Sequence, residues 1–158
     1  MNFTIICVGK LKEKYLEDAC KEYKKRLSHQ KLEIIEIPPE KLSDNPSENE
    51  IKNALTKEGM KILSKIPNSS RVFALCIEGR QRSSEEFSRE IDKIALNGNS
   101  NAVFIIGGSF GLSDEVKNAA HEKISMSKMT FPHQVARVML LEQLYRAVQI
   151  SKGTKYHK

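Results

Sequence analysis

Residues 103–111 read VFIIGGSFG, a short apolar run that passes directly into a glycine-rich turn. A run that is apolar without alternation is typical of a strand covered on both faces, as in a parallel sheet. Ligands of such α/β proteins bind beyond the carboxyl ends of the strands, where glycines let a ligand approach the backbone closely. The segment therefore predicts a buried strand that ends at a binding site.

The rest of the chain alternates between short apolar runs and amphipathic stretches. Strands are predicted at residues 3–8, 32–37, 72–77, 103–106 and, more weakly, 124–127. Helices are predicted at about 16–27, 47–66, 83–97, 113–120 and 132–150, the last with Pro132 in its first turn. This alternation predicts a single domain over residues 1–158, an α/β fold with a mostly parallel sheet and helices on both faces.

The composition indicates which partners and which cellular location to expect. The 158 residues contain 26 Lys and Arg against 20 Asp and Glu, a net charge of +6, which favours a nucleic-acid partner over an acidic protein. No apolar run reaches the roughly 18 residues of a membrane span, and the N-terminus has no signal-peptide pattern. A cytoplasmic protein without a membrane partner is expected. The three cysteines form no C-x-x-C pair, so neither a metal site nor a disulfide is expected.

The last predicted helix is apolar on nearly every side, so both of its sides must be covered. We expect a homodimer through this helix, which a charge at Leu140 or Leu144 should separate; the alternative is a helix in the centre of the protomer. Glu142 and Arg146 are spaced to form an ion pair. His133 and Arg137 are also one turn apart, so the arginines either form structural ion pairs or border an anionic ligand.

The C-terminal residues Tyr156 and His157 follow this helix and combine an aromatic ring with an imidazole. Residues at a chain terminus are commonly frayed, which is one interpretation of this segment. The alternative is that the two side chains contact RNA.

Five motifs then occur in order along the whole chain: Val8-Gly9-Lys10-Leu11-Lys12, Ile106-Gly107-Gly108-Ser109, Ser127-Lys128-Met129-Thr130-Phe131-Pro132-His133, Glu142-Gln143-Leu144-Tyr145-Arg146 and Tyr156-His157. Together they resemble the ribosomal RNA large subunit methyltransferase H family of the SPOUT superfamily. The resemblance implies a homodimeric enzyme with a C-terminal deep trefoil knot. It also implies methylation of N3 of a pseudouridine in 23S rRNA, on assembled ribosomes, and RNA rather than DNA as partner.

The resemblance further implies S-adenosyl-L-methionine as cofactor, bound at Leu75, Gly107, Gly108, Met126, Ser127, Lys128, Met129, Thr130 and Phe131. The loop over residues 126–131 combines apolar and polar side chains. This combination suits an adenine, which needs an apolar slot and backbone hydrogen bonds. No metal is implied.

Catalytic roles are hypotheses for six residues. We expect His157 or His133 to assist proton removal and Tyr156 to stack on or orient the base. Arg137 and Arg146 would hold phosphate or developing negative charge, with Glu142 orienting Arg146. Tyr156 and His157 are expected to complete the site of the other subunit. Lys155 stands where family members often carry proline, which predicts a looser tail before RNA binds.

Two other functions remain open. One is a ribosome-binding module without catalysis, which would not be stabilised by the methyl donor. The other is an enzyme for a small phosphorylated metabolite that uses the glycine turn as an anion cradle.

Overall fold

The computed structural model describes residues 1–158 and contains five strands that alternate with five helices. In chain order they are β1 (Asn2–Val8), α1 (Lys14–Arg26), β2 (Lys31–Ile37), α2 (Glu48–Ser64), β3 (Ser70–Arg80), α3 (Ser84–Leu96), β4 (Asn101–Ile106), α4 (Asp114–Ala119), β5 (Glu122–Ile124) and α5 (His133–Ser151). The predicted alternation of strands and helices is confirmed. None of the helices has both the length and the apolar character that crossing a membrane requires.

All strands pair in parallel in one sheet of order β2-β1-β4-β3-β5. The apolar run at residues 103–106 belongs to β4, the central strand of the sheet. Val103, Phe104 and Ile105 are each 0% exposed. The glycine turn after β4 therefore lies at the carboxyl edge of the sheet, between the ends of β1 and β3. The predicted parallel α/β architecture is confirmed.

Helices cover both faces of the sheet. On one face, α1, α3 and α5 pack on a core that includes Phe3, Phe73 and Phe104. On the other face, α2 and α4 pack on residues that include Ile6 and Val103. Successive residues of a strand point to opposite faces of the sheet and therefore belong to different cores.

All five strands begin one or two residues earlier than predicted, and two of them also end at a different residue. β5 ends at Ile124, so the predicted strand over 124–127 was placed too late: Ser125 leaves the strand and donates its hydroxyl to the carbonyl of Ser127 at 2.8 Å. β3 continues to Arg80, beyond the predicted end at 77, because Ile124 is a partner of both Leu75 and Arg80. β3 therefore bends around the end of β5, and the threading of the knot itself stays a prediction.

Helix α5 lies between α1 and α3 with one side on the sheet. Leu140 and Leu144 are 0% exposed within the protomer. The expectation that a charge at either residue separates two subunits is therefore wrong, since such a charge would disrupt the core of the protomer itself. Pro132 is the N-cap of α5 and not a residue of its first turn.

Candidate functional site

A cleft of about 700 Å³ opens at the carboxyl ends of β3 and β4. Seven of the nine residues predicted to bind the cofactor line it: Leu75, Gly107, Gly108, Met126, Ser127, Thr130 and Phe131. Lys128 and Met129 do not line the cleft, and Met129 is 73% exposed. The loop places these two side chains on its outer side because Met129 N donates to Ser127 Oγ at 3.0 Å and turns the chain.

The glycine turn forms the floor of this cleft. A Cβ atom at Gly107 would overlap the backbone of Gly111, so only glycine fits this position. The N–H of Gly111 donates to the carbonyl of Gly108 at 3.1 Å and closes the turn. Gly107 is buried beneath the turn and Gly108 is half-buried, and since neither has a side chain of its own, a ligand in the cleft can approach the backbone of the turn closely.

Charged groups in the cleft are few and paired. Lys117 from α4 donates to Glu78 at 2.6 Å, and this hydrogen bond lowers the pKa of Glu78. His133, the first residue of α5, also lines the cleft. Burial, then the charges of Arg137 and Lys12, lowers the pKa of His133 below its ordinary value. The imidazole is therefore neutral at neutral pH, and the cleft carries no unpaired positive charge.

Glu78 and Lys117 were missed by the sequence reasoning. A polar residue directly after the apolar run 72–77 was a signal that could have identified Glu78. No sequence pattern identified Lys117, because its position in the cleft depends on how α4 packs in the folded chain.

A second group of predicted residues meets around the carboxylate of Glu142, on the side of α5 away from the sheet. Arg146 donates to Glu142 through Nη2 at 2.6 Å, which confirms the predicted pair and raises the pKa of Arg146. Tyr156 donates its hydroxyl to Oε1 at 3.0 Å, and Gln143 donates to Oε2 at 3.0 Å. Glu142 is thus fully occupied as an acceptor, which suits it to orient its neighbours rather than to take a proton.

The C-terminal tail reaches Glu142 because of the way α5 ends. Gly153 has a φ of +66°, which turns the chain, and its N–H donates to the carbonyl of Ile150. Thr154 N donates to the carbonyl of Gln149, so the two bonds form a Schellman motif. The chain then folds back along the helix. The tail makes these contacts with Lys155 in place of proline, and the expectation that Lys155 loosens it before RNA binds stays a prediction.

The ring of Tyr156 is fixed between two neighbours. It lies edge-to-face with Tyr145 at a centroid distance of 4.8 Å, and the guanidinium of Arg146 lies 4.8 Å from its centroid. Burial and the hydrogen bond to Glu142 raise the pKa of Tyr156. Tyr156 is therefore a neutral hydrogen-bond donor at neutral pH.

Both ring nitrogens of His157 are engaged. Arg146 Nη1 is 3.2 Å from Nδ1, and Glu85 Oε1 is 2.8 Å from Nε2. Since a guanidinium can only donate, Nδ1 is the acceptor and Nε2 carries the proton that is donated to Glu85. His157 in this arrangement has no free lone pair with which to accept a proton.

Arg137 lies apart from this group, on the buried side of α5. It is 3% exposed and donates to Glu36 at 3.0 Å and to the carbonyl of Gly9 at 3.1 Å. Arg137 thus forms the structural ion pair that was one of the two roles left open by the sequence, and a role beside an anionic ligand stays a prediction. The six predicted catalytic residues therefore occupy three places: four around Glu142, His133 in the large cleft, and Arg137 in the core.

A smaller cleft of about 290 Å³ lies beside the large cleft. It lies between the start of α3 and the outer side of α5, and Glu142 and Gln143 form part of its lining. Ser125 and Met126 line both clefts. The segment 125–126 is thus the wall that separates the predicted cofactor site from the Glu142 group.

Comparison with known proteins agrees with this arrangement. A family model described as predicted SPOUT methyltransferase matches residues 1–157. The chain is 53% identical to proteins named ribosomal RNA large subunit methyltransferase H from Bacillus thuringiensis (strain Al Hakam), Bacillus cereus (strain B4264) and Bacillus anthracis. Each alignment covers 100% of this chain and 100% of the relative. A parallel α/β fold with its cleft at a glycine turn and a full-length match of this kind leave one conclusion: the chain belongs to the SPOUT methyltransferase family.

Proposed function

We propose that this protein transfers a methyl group from S-adenosyl-L-methionine to N3 of a pseudouridine in the 23S rRNA of assembled ribosomes. The observation that supports it most is the large cleft at the carboxyl ends of β3 and β4, where the glycine turn and seven of the nine residues predicted to bind the donor meet. The names of the relatives support ribosomal RNA as the acceptor.

The residues of the large cleft fit this donor. Leu75 and Phe131 offer apolar surface for an adenine, and Gly107 and Gly108 offer backbone groups. The donor supplies a methyl group on a positively charged sulfur. Its charge meets no unpaired cation, because Glu78 neutralises Lys117 and burial favours the neutral form of His133.

Proton removal is the chemical demand on the protein, because the N3–H of the base is only weakly acidic. Of the two candidate histidines, His157 has both ring nitrogens bonded, while His133 has no hydrogen-bond partner and lines the donor cleft. We therefore assign proton removal to His133. His157 and Glu142 hold Arg146, whose charge stabilises the anion that forms at the base.

Positioning of the base completes the proposed mechanism. Holding the acceptor nitrogen in line with the methyl group supplies most of the rate enhancement for a transfer of this kind. Tyr156 is rigidly placed for this task by Tyr145, Arg146 and Glu142.

A homodimer is part of the proposal. Nine residues along α5 separate His133 from Glu142, a rise of about 13.5 Å, which is more than one nucleobase spans. Both groups can act on one base only if they come from different subunits. The side of α5 away from the sheet carries half-buried Val135, Met139 and Ile150 beside the Glu142 group, so association through this side would place Tyr156 and His157 near the donor cleft of the second subunit.

The experiment that tests this function uses ribosomes from cells that lack the protein. They are incubated with the full-length chain and S-adenosyl-L-methionine, and the 23S rRNA is mapped by mass spectrometry. We expect one added methyl group, on a pseudouridine, at N3. Saturable binding to ribosomes without methyl transfer would instead identify a binding module. Turnover of a nucleotide or sugar phosphate without a response to the donor would identify a metabolite enzyme.

A further inference from the structure

The smaller cleft contains a buried arginine with an unused hydrogen-bond donor. The side chain of Arg82 is 8% exposed and forms an ion pair with Glu122 through Nη2. Its other terminal nitrogen, Nη1, is buried and has no hydrogen-bond partner. Buried donors are nearly always paired, so an orphaned guanidinium N–H in a cleft wall indicates an acceptor that comes from another molecule.

The surroundings of Arg82 favour a negatively charged acceptor. Arg80 lies in the same lining, is exposed and forms no ion pair. Ser83 and Ser84 at the start of α3 lie in the same lining, and the N-terminus of this helix is already capped by Ser83 and Glu86. An oxyanion would therefore be held mainly by the two guanidinium groups.

The carboxylates nearby already accept hydrogen bonds. Glu142 in the same lining accepts from Arg146 and Tyr156. Glu122 is taken by Arg82, and Glu86 is held by the backbone N–H of Ser83. An anion in the cleft would therefore not face an unpaired carboxylate.

We propose that this cleft binds a phosphodiester group of the substrate RNA, close to the nucleotide that is methylated. The proposal rests on the proposed function and adds one contact to it: Arg82 and Arg80 hold a phosphate beside the Glu142 group of the same subunit, which acts on the base. A guanidinium is suited to this ligand, because its planar fork matches two phosphate oxygens. Contacts between a protein and the phosphate backbone of a nucleic acid fix its register without reading its bases.

The test compares variants of the full-length chain in the ribosome methylation assay. Arg82→Met combined with Glu122→Gln removes the guanidinium without leaving a buried carboxylate unpaired. We expect the KM for ribosomes to rise about tenfold and the slope of log affinity against log salt to become shallower by about one contact. The kcat and the affinity for S-adenosyl-L-methionine should stay at the values of the parent chain.

Two further variants keep the proposal open to refutation if the double variant does not fold. Arg80→Gln changes an exposed side chain and should raise the KM about threefold, with a smaller change in salt slope. Arg89→Gln removes the same charge from an exposed position of α3 outside the cleft and serves as the control. Glu122→Gln alone keeps Arg82 and should keep the salt slope of the parent chain.

The results separate this proposal from the proposed function. A parent chain that does not methylate RNA overturns the proposed function. Methylation with an unchanged KM and salt slope in both the Arg82 and the Arg80 variants overturns the phosphate site alone. A loss of donor affinity in place of ribosome affinity also overturns it, since the oxyanion would then be the carboxylate of the donor.

Discussion

Tyr156, the third residue from the end of the chain, donates its hydroxyl to a carboxylate oxygen of Glu142 at 3.0 Å. This bond connects the C-terminal tail to the last helix of the fold. The same carboxylate holds Arg146 at 2.6 Å, so the position of the tail and that of the cationic group are set by one side chain. Glu142 is therefore the residue through which the proposed site is organised.

Removing the tyrosine hydroxyl should affect catalysis more than stability. We expect Tyr156→Phe to lower kcat about tenfold, because a hydrogen bond to a charged group contributes on the order of 1.5 kcal/mol and fixes the ring. Loss of the same bond should lower the temperature of thermal unfolding by only a few degrees, since the ring keeps its contact with Tyr145. Single-turnover methylation of ribosomes measures the effect, with Tyr15→Phe, on an exposed side chain of α1, as the control. An unchanged rate would remove Tyr156 from the site.

A methyl group at the glycine turn should abolish binding of the donor. Gly107→Ala places a Cβ atom against the backbone of Gly111, so the turn must open. We expect the affinity for S-adenosyl-L-methionine, measured by calorimetry, to fall at least about 100-fold, a loss of roughly 3 kcal/mol. Gly98→Ala is the matched control: it costs about 1 kcal/mol of stability at a positive φ but has open space around it. Equal donor affinity in both variants would place the cofactor elsewhere.

Donor binding should weaken as the pH falls. The pKa of His133 in the folded protein lies below its unfolded value of about 6.5, so the imidazole is neutral above that pH. Its contribution to stability is full above the unfolded pKa and is lost as the pH falls through the folded pKa. Protonated His133 would also repel the positively charged sulfur of the donor. We expect affinity to fall by up to about tenfold per pH unit in that range.

His133→Gln isolates this effect, because it removes the titrating group and keeps a polar side chain. The variant should bind the donor with little dependence on pH between neutrality and pH 5, while its methylation rate falls about 100-fold, the scale of one general base. A pH dependence identical to that of the parent chain would show that another group controls binding.

The ion pair between Arg137 and Glu36 should stabilise the fold and not bind substrate. Arg137→Met leaves a partly exposed carboxylate without its partner, so we expect a loss of about 2 kcal/mol in the free energy of unfolding, less than for a fully buried pair. The double change Arg137→Met with Glu36→Gln should recover part of this loss. Urea denaturation gives both values. A raised KM for ribosomes with unchanged stability would return Arg137 to the RNA-binding residues.

The outer side of α5 should carry the dimer contact. Val135→Glu puts a charge on a half-buried residue that lines neither cleft, so we expect a monomer in sedimentation that still binds the donor but methylates at least about 100-fold more slowly. Leu96→Glu, on a residue that is 84% exposed, should leave both the mass and the activity of the protein unchanged. A fully active monomer would contradict a site shared between subunits.

Features that depend on near neighbours along the chain could be predicted from the amino-acid sequence. Apolar periodicity predicted the alternating strands and helices, and unbroken apolar runs predicted a parallel sheet. Helical spacing predicted the pair of Glu142 and Arg146, because residues four apart meet on one side of a helix. The glycines directly after the apolar run 103–106 predicted a turn at the end of a buried strand.

Contacts between distant residues became visible only in the folded chain. Arg137 binds Glu36 and Gly9, which are 101 and 128 residues away, and no local pattern indicates such partners. Gly153 turns the tail back onto α5, so Tyr156 and His157 reach Glu142 and Glu85 instead of fraying. These contacts arise from how α1, α3 and α5 pack on one sheet. Local sequence selects each element, whereas the relative placement of the elements depends on burial summed over the whole core.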